Sequence, residues 1–221
     1  MPLIERKPRP LGREQRAFRD DRLFIVACDD TYAPKQYFEP FKLTRVHVNV
    51  VPTTDGTSSA PHVLARLMEF EHEADDELWM LLDTDHCTEP SHVRTFTQAL
   101  KEAREKGVSV ALSTPCFETW LLLHHLEETK VTDLTTARKT EEVLRRVLGD
   151  YDKTNLDPQH FTFGNVRAAC ERAERLARAA GHPDIPTAPG SQVHFLWRAI
   201  VSKALSSQLP EELRDLVAAK T

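Results

Sequence analysis

Two uninterrupted apolar runs, Leu23-Phe24-Ile25-Val26-Ala27-Cys28 and Leu78-Trp79-Met80-Leu81-Leu82, constrain this chain more than any other feature. Strand side chains alternate between two faces, so a run with no polar member needs cover on both. A sheet with one face in water would instead alternate apolar with polar residues. Each run also stops at an acid, the first at Asp29-Asp30 and the second at Asp83.

The segments between and after these runs supply the cover. Val46, Val48 and Val50 alternate with polar neighbours and predict a strand over 45–51, and another short strand follows Gly107 at 108–112. Tyr37, Phe38 and Phe41 suit one face of a short helix, and Val63, Leu64, Leu67 and Phe70 recur at helical spacing behind Ser59 as a cap. A further helix is expected over 91–106. This alternation predicts an α/β fold with a predominantly parallel sheet flanked by helices. Beyond it, Thr114-Pro115 reads as the start of a helix carrying Phe117, Trp120, Leu121, Leu123 and His124. Helices are then expected over 135–148, 165–180, 192–204 and 209–219, with a loop over 150–164. The chain therefore divides into a basic polar lead-in (1–22), an α/β core (23–130) and a mainly helical C-terminal elaboration packed on that core (131–221).

Composition narrows the partners. Lys plus Arg number 29 against 34 Asp plus Glu, a formal net charge of −5, so a nucleic-acid contact needs a local basic surface. The lead-in, with seven Lys or Arg in its first 22 residues, is one such stretch. The four cysteines form no Cys-x-x-Cys pattern, which argues against a structural zinc site or a disulfide framework. No segment reaches membrane-spanning length, and a cytoplasmic location without membrane contact is the expectation. No Walker phosphate loop or Gly-x-Ser-x-Gly elbow is present.

Chemistry concentrates in the acids at the strand ends. In open α/β sheets ligands gather at the carboxyl ends of the strands, where Asp29, Asp83 and Asp85 are expected to converge. Their hard oxygens suit Mg²⁺, with Mn²⁺ as a substitute, and such an ion would orient a phosphodiester. Glu118, near a helix start, either meets exposed amides or serves as a supporting acid beside that site. His86, directly after Asp85, is the histidine best placed for substrate, whereas His124 and His125 suit structural roles. Tyr151, Lys153 and Arg167 are the substrate-contact candidates among many basic residues that otherwise form solvated helix faces. Phe161 and Phe163 either stack on bases or hold the 150–164 loop to the core.

Several of these residues recur as an ordered set. Leu23-Phe24-Ile25-Val26, then Tyr37-Phe38, Leu82-Asp83-Thr84-Asp85-His86, Ser113-Thr114-Pro115-Cys116-Phe117-Glu118-Thr119-Trp120-Leu121-Leu122-Leu123-His124 and Tyr151-Asp152-Lys153 resemble the RloB family, whose fold is related to the Toprim catalytic domain. The resemblance spans roughly 22–200. It implies a Toprim-like core in which Asp83 and Asp85 bind Mg²⁺, Asp29 binds metal or transfers a proton, and Glu118 supports them. It further implies DNA or RNA phosphodiester hydrolysis in a prokaryotic phage-defence or mobile-element system, controlled by a separate ATPase encoded nearby. Homo-oligomerisation is compatible with this picture. The chain departs from the family pattern in carrying Asp29-Asp30 in place of Glu-Gly and Ala33-Pro34 in place of Thr-Glu. That departure favours an alternative, a catalytically weakened nucleic-acid-binding or regulatory subunit. Nucleotide phosphotransfer at the same pocket is the third reading.

Overall fold

The computed structural model describes residues 21–54, 56–85 and 90–218. The basic lead-in up to residue 20, with its expected partner contact, and His86 fall outside them.

The first apolar run becomes β1 (Arg22–Cys28), the second β3 (Glu77–Asp83), and the valine-rich segment between them β2 (Val46–Val51). With β4 (Ser109–Thr114) they form four parallel strands in the order β2-β1-β3-β4. A two-residue strand, β5 (Gly190–Ser191), closes the far edge antiparallel to β4. The crossovers are α1 (Ala33–Phe38), α2 (Ala60–Glu69) and α3 (Pro90–Glu105).

The reason for the uninterrupted apolar runs is visible in how β1 distributes its side chains. Ile25 and Ala27 face one core with Met80, Leu82 and Leu112, covered by Val63, Leu64 and Leu67 of α2 and Phe96, Ala99, Leu100 and Ala103 of α3. Phe24, Val26 and Cys28 face the other, with Trp79, Leu81 and Ala111. That second core is closed by α1, α4 (Glu118–Leu123), α6 (Phe163–Ala179), α7 (Val193–Lys203) and α8 (Glu211–Ala218). Burying one Leu, Ile or Phe contributes about 1.5–3 kcal/mol, so two complete cores supply the dominant stabilising term. The expected α/β sheet with its helical elaboration is the architecture observed.

Two local expectations are corrected, and one short strand is added that the sequence does not announce. Thr114-Pro115 does not start a helix: Thr114 ends β4, and the Pro115 carbonyl accepts the Thr84 and Asp85 amides at 3.2 and 3.1 Å. The helix opens three residues later, and the Thr119 hydroxyl donates to the Thr114 carbonyl at 3.1 Å. Ser59 precedes α2, but its hydroxyl lies 2.8 Å from His62 Nδ1 and caps no amide. Finally β5 is too short to leave a pattern in the sequence. Its Ser191 hydroxyl meets that of Ser113 at 2.9 Å in the sheet interior.

The 150–164 segment following α5 (Ala137–Leu148) is folded onto the second core. Phe161 is buried there, touching Tyr37 and His124 edge-on, so its ring is not presented for stacking on bases, and the partly buried Phe163 packs against Phe41. Beneath them lies a satisfied polar network. Trp197 Nε1–H donates to the Tyr37 hydroxyl at 2.9 Å, that hydroxyl meets His124 Nε2 at 3.0 Å, and His124 Nδ1 lies 2.9 Å from the Trp120 carbonyl. Burial lowers the His124 pKa to about 3, so the ring stays neutral and structural.

Candidate functional site

Parallel strands β1 and β3 end side by side, and that alone brings their terminal acids together. Asp29 follows the last residue of β1, Asp83 closes β3, and Asp85 comes two residues later. Glu118 enters from the first turn of α4. All four line one crevice of about 390 Å³, together with Asp30, Thr31, Tyr32, Ser58, Cys116, Ala137, Glu141, Lys153 and Thr154. A larger apolar cleft of about 770 Å³, between Trp79, Val108, Leu176, Pro183 and Phe195, contains none of these acids.

The Asp83-Thr84-Asp85 segment is held by its backbone. The Thr84 amide donates to the Ser113 carbonyl as well as to Pro115, and the buried Thr84 hydroxyl donates to that of Thr114 at 3.0 Å. Thr84 is thereby turned into the β4 connection, while its two acidic neighbours line the crevice. Asp29 is tied to the same segment, since its Oδ2 accepts the Asp83 amide at 2.8 Å.

Crowding carboxylates at a buried strand end raises their affinity for protons. Burial pushes the Asp29 pKa from 3.8 to about 7; the bond from the Asp83 amide opposes the rise, and the charges of Asp30 and Asp85 add to it. Asp83 is likewise raised well above the usual carboxylate range, by burial first and then by Asp29 and Glu118. A carboxyl balanced near neutrality can accept or release a proton at the crevice.

A lysine occupies the middle of this acidic surface. Lys153 Nζ lies 2.5 Å from Asp30 Oδ2 and 3.8 Å from Glu118 Oε1, and both carboxylates are almost wholly buried. Burial pulls the ammonium pKa down, but Glu118 and Asp30 outweigh it and hold the group above its ordinary value. The Tyr151-Asp152-Lys153 turn delivers this charge. Tyr151 donates its hydroxyl to Glu118 Oε1 at 2.9 Å, Asp152 Oδ1 accepts the Thr154 amide and hydroxyl, and Gln36 Nε2–H donates to the Lys153 carbonyl at 3.1 Å. Tyr151 is thus a buried positioning group for Glu118 instead of an exposed substrate contact.

Asp30 shapes the site although the sequence suggests only an exposed or capping acid. It does cap: Oδ1 accepts the Tyr32 and Ala33 amides at 2.6 and 3.1 Å. It is buried all the same, and its second oxygen receives Lys153. The Asp-Thr-Tyr-Ala spacing carries the signal for the cap, while the ion pair joins residues 123 positions apart and leaves no trace in sequence. Arg66 is a second residue not singled out in the sequence. Its guanidinium donates to the Thr57 carbonyl at 2.8 Å and to the Thr53 hydroxyl at 3.0 Å, bracing the segment that brings Ser58 to the crevice.

Other candidates lie elsewhere. Arg167 is not among the crevice residues; it sits on α6 with Nη1 3.5 Å from Asp215 of α8. The remaining basic candidates are mostly in ion pairs along or between helices: Arg138 with Glu142, Arg145 with Glu141, Arg172 with Glu127, Arg175 with Glu128, and Arg178 and Arg198 with Glu174.

The donor chemistry of these acids suits Mg²⁺ or Mn²⁺. Among the described residues no three Asp, Glu, His or Cys side chains are set to share one metal ion. Several of the acids have separate partners: Asp29 an amide, Asp30 two amides and Lys153, Glu118 Tyr151 and Lys153. Asp29, Asp83 and Asp85, the expected metal set, line one crevice. Among the described residues no helix is long and apolar enough to cross a membrane.

A family model described as RloB-like protein matches residues 24–200. No curated protein and no solved structure matches the chain.

Proposed function

Because the chain belongs to the RloB family, and because its acidic crevice carries its own cation, we propose that it is a nucleic-acid-binding regulatory subunit with weakened catalytic capacity. It would serve in a prokaryotic defence or mobile-element system, in the cytoplasm, beside a separate ATPase. The observation that carries this reading is Lys153, seated 2.5 Å from Asp30 among acids that do not converge on a metal position.

Lys153 has two tasks in this reading. It balances Asp30 and Glu118, and its 41% exposed side chain presents positive charge at the crevice surface to a phosphate. The basic lead-in supplies further attraction, since the net charge of the chain repels a phosphate backbone. Asp29, with a pKa near 7, limits the negative charge that an approaching phosphate meets.

A metal-dependent DNA or RNA nuclease is the second reading, favoured by the gathering of Asp29, Asp83 and Asp85 at adjacent strand ends. One experiment separates the two. Binding and cleavage of DNA and RNA are measured with Mg²⁺ and Mn²⁺, with and without a neighbouring ATPase, for the wild type and for Asp83→Ala combined with Asp85→Ala. Binding without turnover in either partner condition is the expected result. Metal-dependent cleavage that disappears in the folded double variant would replace this reading with the nuclease.

A further inference from the structure

The described residues include one strongly exposed aromatic ring at the crevice. Tyr32 is 48% exposed, and it lines the same cavity as Lys153, Ser58 and Thr154. The other rings of this region, Tyr37, Phe38, Phe117 and Phe161, are buried and account for the core. Tyr32 adds little to that core.

Its position is fixed all the same. The Tyr32 amide donates to Asp30 Oδ1 at 2.6 Å, its carbonyl accepts the Gln36 amide at 3.2 Å in the first turn of α1, and Asp30 Oδ2 holds Lys153 at 2.5 Å. One buried carboxylate therefore carries an aromatic residue on one oxygen and an ammonium on the other. An exposed aromatic ring and a positive charge lining one crevice are the pairing that recognises a nucleotide, with the base on the ring and the phosphate at the cation.

From this juxtaposition we infer that Tyr32 is a stacking platform for an unpaired nucleobase, so that the crevice takes single-stranded nucleic acid in preference to duplex. The inference rests on the nucleic-acid reading above and adds the substrate class. In a duplex each base is covered above and below by its neighbours, and no base face is available to a side chain at the lip of a small cavity. A single strand or loop offers such faces, and stacking is indifferent to sequence because every base has one. Thr31 and Ser58, which line the same crevice, carry hydroxyls suited to sugar and phosphate oxygens without reading base edges.

The test uses the full chain and fluorescence anisotropy at fixed low salt. The probes are a mixed-sequence single-stranded DNA, the same sequence as RNA, and the matching DNA duplex, each also with one 2-aminopurine as a stacking reporter. The wild type is expected to bind at least one single strand more tightly than duplex, and to quench 2-aminopurine. Tyr32→Ala is expected to lose about 5- to 150-fold in single-strand affinity and the quenching with it, while duplex affinity stays unchanged. Tyr32→Phe keeps the ring and is expected to retain both signals. An exposed side chain whose backbone makes the capping bond leaves the variants folded, which thermal melting checks. Wild-type binding to either nucleic acid with no change in Tyr32→Ala would overturn this inference and leave the nucleic-acid reading standing. Absence of wild-type binding to every probe would overturn both.

Discussion

Asp29→Asn should stabilise the protein above neutral pH, because the native carboxylate is ionised there at the expense of folding. In an unfolded chain the group titrates near 3.8, and in the crevice near 7. Below pH 3.8 it is protonated in both states and makes no difference between them. Between 3.8 and 7 the unfolded chain gives up its proton while the folded one keeps it, so stability falls as pH rises. Above 7 the full penalty applies, about 4 kcal/mol at about 1.4 kcal/mol per pH unit. Partial exposure and relaxation of the side chain reduce the measurable part to about 2–3 kcal/mol. Asparagine carries no charge, and its amide oxygen can still accept the Asp83 amide that Oδ2 now accepts at 2.8 Å. Urea denaturation of both proteins from pH 5 to 9 isolates the effect, because titrating groups remote from Asp29 cancel in the difference and the neighbouring Asp83, which the Asp29 charge raises, is relieved in the same direction. The variant should gain with rising pH and reach a plateau above about pH 8. A variant no more stable than wild type at pH 8.5, or a difference independent of pH, would refute the argument that burial holds this carboxyl protonated.

Other outcomes follow from the same structure. Lys153→Met strips the cation from two buried carboxylates; breaking a buried pair costs about 3–5 kcal/mol, and the 41% exposure of the lysine lowers the expected loss in urea denaturation to about 2–3 kcal/mol. Tyr37→Phe leaves the Trp197 indole N–H without its acceptor and His124 Nε2 without its partner in the core, for a loss of about 2–3 kcal/mol in thermal or urea melting. His124 and His194 have pKa values lowered from 6.5 to about 3 and about 4, chiefly by burial. Their neutral forms contribute stability that is present above pH 6.5 and lost as pH falls toward 3–4, so His194→Gln should flatten the acid side of the stability profile whatever its effect at neutral pH.

The sequence by itself determined the sheet and its two covered faces. Leu23 to Cys28 and Leu78 to Leu82 contain no polar residue, and an unbroken apolar strand is stable only between two layers. Burial is a property of composition and local period, so it can be read one segment at a time. The gathering of Asp29, Asp83 and Asp85 was legible for a related reason, since parallel neighbours end on the same side. Their chemical state was not legible, because it depends on groups that approach from distant segments. Asp30 meets Lys153 across 123 residues, Glu118 meets Tyr151 across 33, and Thr114 closes β4 because Thr84 and Ser113 hold its connection there. Hydrogen bonds and ion pairs act over about 3 Å in space and carry no period along the chain. Only the tertiary structure could decide that Asp30 and Glu118, beside these strand ends, share a lysine.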